Sequence, residues 1–189
     1  MAYFLFGGFR GGPDSLFFDM KVDLPINQVL EGSRVTSSAI TQPIRILTSQ
    51  QAVPDFFWFK AGHFGVSGRA QHLVKKFCSD SAEAIPVNII NKNGVAIAGQ
   101  YFYLNILTFE NSLILDETNY YATQPHGIKK IEFGKLKIRR RKLGDAHIWH
   151  ERLPERLMWH ELFASTEFVE TSTALGLTGL DQTVPLEEV

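Results

Sequence analysis

The sequence predicts an α+β fold, a largely antiparallel, aromatic-rich sheet system packed with a few helices. Three observations predict it. Fifteen phenylalanines in 189 residues gather in runs, at Phe17-Phe18, Phe56-Phe57-Trp58-Phe59 and, with tyrosine, Tyr101-Phe102-Tyr103. Aromatic side chains suit the half-buried face of a strand better than a helix. Short apolar segments recur between turn residues, and helical periodicity is clear in only two stretches.

Each element follows from local pattern. Met1 to Arg10 is apolar but lacks a basic n-region and is broken at once by glycine, so it reads as an N-terminal strand and not as a secretory signal. Ser15 to Val22 reads as a strand, and Ile26 to Ser38 has room for a short helix. Asp55 to Lys60 is a further strand. Ser67 caps a helix running to Cys78, with Ala70, Leu73, Val74 and Phe77 on one face at i, i+3, i+4, i+7. Ala84 to Ile90 and Val95 to Leu107 flank Asn91-Lys92-Asn93-Gly94, whose Asn-Gly ending is a hairpin signal. Ile128 to Phe133 and Lys135 to Arg139 alternate as strands about Gly134, and Ala146 to His150 pairs with Leu157 to Phe163 about Pro154. Ser165 or Thr166 caps a second helix to Leu175, burying Phe168, Val169 and Leu175, with Gly176 at C′. Leu186 to Val189 reads as a frayed end.

An internal echo runs through this order. Phe64-Gly65-Val66-Ser67 leads into the first helix and Ile85-Pro86-Val87 follows it; Phe163-Ala164-Ser165 leads into the second and Val184-Pro185-Leu186 follows. The pattern allows either a degenerate duplication with two pseudo-repeated lobes or a coincidence of common helix starts. No linker-like stretch divides the chain, so residues 1–189 read as a single domain.

Composition narrows the function classes. At 44% hydrophobic and 21% charged the chain is globular and not disordered. The single cysteine, Cys78, excludes an internal disulfide framework and a Cys-rich zinc module. No apolar run approaches the roughly 18–20 residues of a membrane span, and a free cysteine without a leader points to the reducing cytoplasm. The glycine-rich start matches neither GxGxxG nor GxxxxGK[ST], so it is no phosphate loop.

The net charge is −1, yet residues 129–142 hold Lys129, Lys130, Lys135, Lys137, Arg139, Arg140, Arg141 and Lys142 against Glu132 alone. On a strand, Leu136 and Ile138 face in while Lys135, Lys137 and Arg139 face out. The run is either a solvated strand face or an electrostatic docking patch. With Phe133 as its sole aromatic residue it lacks the interleaved stacking platforms of single-strand nucleic-acid binders, which favours a protein partner. Arg139, Arg140, Arg141 and Lys142 are its candidate partner-binding residues, chosen on charge. A nucleic-acid-binding module using this run is the alternative. Another is a metal-dependent hydrolase using His147, His150 and His160, but residues three apart on a strand point to opposite faces and no HExxH occurs.

The order of short motifs carries a resemblance. Phe64-Gly65-Val66-Ser67 before a helix, then Ala84-Ile85-Pro86-Val87, the strand Gln100-Tyr101-Phe102-Tyr103-Leu104-Asn105-Ile106-Leu107, His147-Ile148-Trp149, Leu162 to Phe168, and Leu175-Gly176-Leu177-Thr178-Gly179-Leu180 resemble the bacterial polymorphic-toxin immunity family eleven, typified by a myxobacterial immunity domain. The likeness spans residues 56–185. It departs at Thr108 to Leu113, where the family carries an acid-Cys step, and at Ile148-Trp149-His150-Glu151, where the family has "iFrl". The resemblance implies a cytoplasmic protein that binds a cognate toxin, delivered by contact-dependent secretion such as type VI, and occludes its active or substrate-entry surface. It implies no catalytic residues, no cofactor and no membrane; the partner is a toxin encoded by a neighbouring gene.

Overall fold

Alternation along the strand Tyr101–Ile106 organises the architecture: Phe102, Leu104 and Ile106 enter one core cluster, and Tyr101 and Tyr103 enter another on the opposite face. A strand buried on both faces belongs in the middle of a sheet. The computed structural model describes residues 2–5, 18–19, 32–47, 52–60, 63–116, 120–123, 128–131, 136–139, 145–151, 162–180 and 183–189. Among them the strands are β1 (Ala2–Leu5), β2 (Phe18–Asp19), β3 (Ile44–Ile46), β4 (Phe56–Lys60), β5 (His63–Ser67), β6 (Ala82–Val87), β7 (Ile89–Ile90), β8 (Tyr101–Ile106), β9 (Phe109–Glu110), β10 (Leu113–Ile114), β11 (Tyr120–Thr123), β12 (Ile128–Ile131), β13 (Lys137–Ile138), β14 (Ile148–Glu151), β15 (Leu162–Ser165) and β16 (Thr183–Glu188). The helices are α1 (Gly68–Cys78) and α2 (Thr166–Ala174), with a 3-10 turn at Ser37–Ala39.

The expected α+β class holds. The strands form a four-stranded sheet β4-β5-β8-β6, a seven-stranded sheet β10-β13-β16-β1-β15-β14-β9, a three-stranded sheet β2-β3-β7 and the ribbon β11-β12. Pairing is mostly antiparallel; β13 with β16, β14 with β9 and β3 with β7 are parallel.

The internal echo is a shared topology. In the first unit a hairpin β4-β5 leads through α1 to β6, and β8 lies between β5 and β6, antiparallel to both. In the second a hairpin β14-β15 leads through α2 to β16, and β1 lies between β15 and β16, again antiparallel to both. The registers agree. Ser67 faces Tyr101 and Pro86 faces Phe102 in the first unit; Ser165 faces Ala2 and Pro185 faces Tyr3 in the second. The unequal Ser-to-Pro spacings thus converge on one register.

The units are not separate lobes, because they share a core. Phe56, Phe64, Val66, Ala70, Leu73, Val74, Phe102 and Leu104 of the first pack in one cluster with Ile148, Leu162, Ala164, Phe168 and Val169 of the second. Phe168 is the hinge of this contact, edge-on to Phe56 at 5.8 Å and to Phe77 at 5.9 Å between ring centroids. The opposite face of the four-stranded sheet packs on β2, β3 and β7 through Phe18, Ile44, Ile46, Phe57, Phe59 and Ile89. Gly65 makes room there: a Cβ on it would stand 2.4 Å from the Phe57 ring and 2.7 Å from that of Phe59.

Helix α1 matches its sequence pattern, with Ser67 as the cap accepting from Ala70 N–H and Ala70, Leu73 and Val74 buried. The Asn-Gly segment closes the hairpin that its sequence signals, with β6 and β8 paired antiparallel from Ala82 opposite Ile106 to Val87 opposite Tyr101. Asn91 Oδ1 accepts from Asn93 N and Val95 N, and Ile90 meets Ala96 in an isolated bridge. The Ala98 carbonyl takes the Tyr101 hydroxyl, and β8 pairs on one side with its hairpin partner β6 and on the other with β5. Other expectations are corrected. Leu175 is 57% exposed, since α2 ends at Ala174 and the turning chain sends Leu177 and Leu180 to the core in its place. Of the short helix expected at Ile26 to Ser38, residues 32–38 show only the start of the 3-10 turn, and 26–31 lie outside the described residues. The outer parts of the expected strand 15–22, and residues 132–135 and 157–161, also lie outside them. No helix among the described residues is long and apolar enough to cross a membrane.

The segment after α2 closes the molecule at Gly179. A Cβ there would lie 2.0 Å from the Phe56 carbonyl oxygen, and φ is +98°. Gly179→Ala therefore combines backbone strain with a clash against an immobile strand. It is expected to destabilise the fold by about 3 kcal/mol, read as a lowered urea midpoint with unchanged m-value.

Candidate functional site

A buried carboxylate sits at the joint between the two units. Asp55, 5% exposed, directly precedes β4. Its carboxylate accepts from Ser67 Oγ at 2.5 Å, Thr178 N at 3.0 Å, Thr178 Oγ1 at 3.3 Å and Arg69 Nη1 at 3.3 Å. One carboxylate thus ties the start of β4, the cap of α1 and the turn after α2. Arg69 extends the tie to the carbonyls of Leu175 and Gly176. With one donor on Oδ1 and three on Oδ2, the Asp55 carboxylate serves as an anchor.

The second unit repeats the arrangement with different chemistry. Ser67 N–H donates to Asp55 O, and Ser165 N–H donates to His147 O, both at 2.9 Å, so His147 occupies the position of Asp55. Its Nδ1 lies 2.9 Å from the Oγ of Ser165, which caps α2 by accepting from Phe168 N. The ring also packs edge-on to Phe77 of α1 at 4.6 Å. Each cap serine is therefore held by a side chain that also reaches the other unit's helix or its terminal turn.

Two further buried clusters were not singled out by sequence pattern. Glu151, at the end of β14, accepts from Ser112 N, Leu113 N, Trp149 Nε1 and, in a short contact, Ser112 Oγ, and so holds the turn before β10. Across the four-stranded sheet, Asn105 faces Glu83 in the β6–β8 register. Asn105 Nδ2 donates to Ser33 O at 3.0 Å and Glu83 Oε2 at 3.3 Å, and Glu83 pairs with Arg34. Because both neighbours are acceptors, the amide must present its nitrogen to them, which leaves the buried Oδ1 without a hydrogen bond. Nearby His63 Nδ1 lies 3.1 Å from the Tyr103 hydroxyl, whose ionisation burial pushes up. Period-2 alternation says where such residues fall in a strand, but not which distant partner each meets.

The residues expected to carry function fall elsewhere. Arg139 is exposed just past β13, where its N–H donates to Ser112 O. Lys137 pairs with Glu187 at 3.3 Å, and Leu136 and Ile138 are buried as alternation requires. Arg140, Arg141 and Lys142 lie outside the described residues, as does His160. His150 is buried and stacks on Phe109 at 5.3 Å, while His147 engages Ser165 and Phe77, so the two rings have different surroundings. Among the described residues no group of three or more His, Cys, Asp or Glu side chains gathers to hold a metal ion.

The surface supplies a charge feature that the basic run overshadowed. The exposed side of α1 carries Arg69, His72, Lys75 and Lys76 without a carboxylate. Counted from the cap serines, Arg69 and His72 correspond to Glu167 and Glu170 of α2. The exposed sides of the two helices thus differ in charge, with Arg69, Lys75 and Lys76 on α1 against Glu167 and Glu170 on α2. The chain matches no protein-family model and no curated protein.

Two outcomes follow. Ser67→Ala removes a helix cap and an Asp55 donor together and is expected to cost about 2 kcal/mol, against about 1 kcal/mol for Ser165→Ala, both from denaturant midpoints. Cys78 is buried among core side chains, and desolvation, partly offset by bonds to Ser81 and the Ile148 backbone, raises its thiol from 9.0 to about 11. The unfolded thiol ionises first as pH rises, so this contribution to stability is full below pH 9.0 and is lost as pH rises through about 11. Iodoacetamide at pH 8 is expected to spare folded protein and to label it in denaturant, with Cys78→Ser flattening the alkaline loss of stability.

Proposed function

We propose that this protein is a cytoplasmic immunity protein that binds a cognate bacterial toxin and occludes its active or substrate-entry surface. The observation that carries the reading is where its motifs fall. Ser67 and Ser165 cap the two helices, Pro86 sits in the β6 edge, Asn105 lies in the central strand, and Thr178-Gly179 closes on Asp55 and Phe56. The residues that carry the resemblance to immunity family eleven are here ones that join the fold, which supports reading them as the marks of a scaffold.

The surface chemistry fits a protein partner. The cationic side of α1, with exposed Arg139, suits an acidic toxin surface, for which complementary charge speeds encounter and excludes wrong partners. Inhibition by occlusion asks for no catalytic group in the inhibitor, only a well-packed anchor and a polar rim.

Co-expression with the product of the neighbouring gene tests this reading. The expected outcome is a stable one-to-one complex on size exclusion and survival of cells that the product alone kills. A neighbouring product that stays toxic and unbound in the presence of this chain overturns the proposal.

A further inference from the structure

The two units treat corresponding sheet edges differently. In the second, β9 runs parallel along the outer edge of β14, pairing His150 with Phe109 and Glu151 with Glu110, and His150 N–H donates to Thr108 O at 3.0 Å. His150 faces Leu162, three residues before the cap Ser165; Trp58 faces Phe64, three before the cap Ser67. Trp58 of β4 is therefore the counterpart of His150.

Ladder alternation fixes which backbone groups point outward. Ser67 N–H donates to Asp55 O, so Asp55 and Phe57 turn toward β5, while Phe56 and Trp58 turn away. Phe56 N–H is taken by Thr178 O at 2.9 Å. β4 is the terminal strand of its sheet, and among the described residues the outward N–H and C=O of Trp58 take no partner. The surroundings form a seat for an added strand. The Trp58 indole is half-buried on Phe64, with ring centroids 5.1 Å apart, and Leu177 and Leu180 pack in the same cluster. The Arg69 guanidinium, 64% exposed, donates to the Leu175 and Gly176 carbonyls at 3.3–3.4 Å and to the Asp55 carboxylate that precedes β4. A bulge between Trp58 and Lys60 shortens the edge, which discourages long self-pairing.

We infer that the toxin docks here by adding an extended segment to β4 as a parallel strand, bonded to the backbone of Trp58, with a carboxylate turned toward Arg69. The parallel direction follows the β9–β14 precedent within the same molecule. The acidic character follows from charge complementarity with Arg69, whose long contacts leave it open to a second carboxylate. Main-chain bonds supply affinity in such strand addition, and side-chain seats supply selectivity. This inference rests on the immunity reading and names the surface and the kind of segment it holds.

The test titrates wild-type and variant chains with the neighbouring-gene toxin domain. Trp58→Pro deletes the outward N–H without touching the β4–β5 ladder and is expected to weaken binding by roughly 100-fold. Trp58→Phe keeps the N–H and an aromatic ring and is expected to lose less than roughly 10-fold. Amide exchange provides a readout independent of folding defects. In the free chain Trp58 N–H is expected to exchange fast and His150 N–H slowly; in the complex both are slow. If the toxin binds but Trp58→Pro retains wild-type affinity, or if Trp58 N–H is already protected in the free chain, this inference falls and the immunity reading stands. A chain that instead forms dimers lost in Trp58→Pro assigns the edge to a second copy and overturns the toxin assignment. If wild-type chain binds no neighbouring toxin, the immunity reading falls and takes the docking site with it.

Discussion

The Asp55 carboxylate is the constraint on which the rest of the fold depends. A buried carboxylate is tolerable only where donors surround it. Here those donors come from the cap of α1, from Arg69 and from the turn after α2. Satisfying one charge therefore fixes three segments that are distant in sequence. Gly179 lies against Phe56 because Thr178 must reach Asp55, and Leu177 and Leu180 enter the core because that turn is held in place.

The second unit solves the same steric problem with a ring in place of a carboxylate. His147 replaces Asp55, and its ring packs on Phe77 where Asp55 takes backbone and hydroxyl donors. Elsewhere in the repeat, volume is exchanged between counterparts. Gly65 admits the Phe57 and Phe59 rings, whereas its counterpart Phe163 stacks on Trp149 at 5.9 Å. Small Ala70 in α1 corresponds to large Phe168 in α2, which fills the space between the helices and β4. Such pairs keep a dense shared interior while letting the two surfaces diverge in charge.

Sequence pattern made the repeating architecture legible and left its polar joints hidden. Ser67 and Ser165 were readable because a cap is a local event, three residues from the N–H it accepts. The tyrosine-rich strand was readable because period-2 alternation is local too. Asp55 with Thr178 and Glu151 with Ser112 were not, since each joins residues that only the completed topology brings together. The Asn-Gly signal was real and local, and it brought β8 back along β6; the second partner, β5, was not readable because it joins β8 across the intervening helix and strand. Within the basic run, alternation placed Leu136 and Ile138 correctly, while partner choice at Lys137 depended on Glu187 arriving from the C-terminal strand.

The position of β1 has a consequence for synthesis. The first unit contains its own middle strand and can close its ladder once Ile106 has emerged from the ribosome. The second unit borrows β1 and must wait for β16, about 80 residues later, a delay of about 4–16 s at ordinary elongation rates. During that interval β1 is unpaired with β15 and β16, and Phe56, Phe102 and Leu104 lack the cover that β14, β15 and α2 bring. The face that the first unit turns to the second is thus the part of the shared core that is covered last.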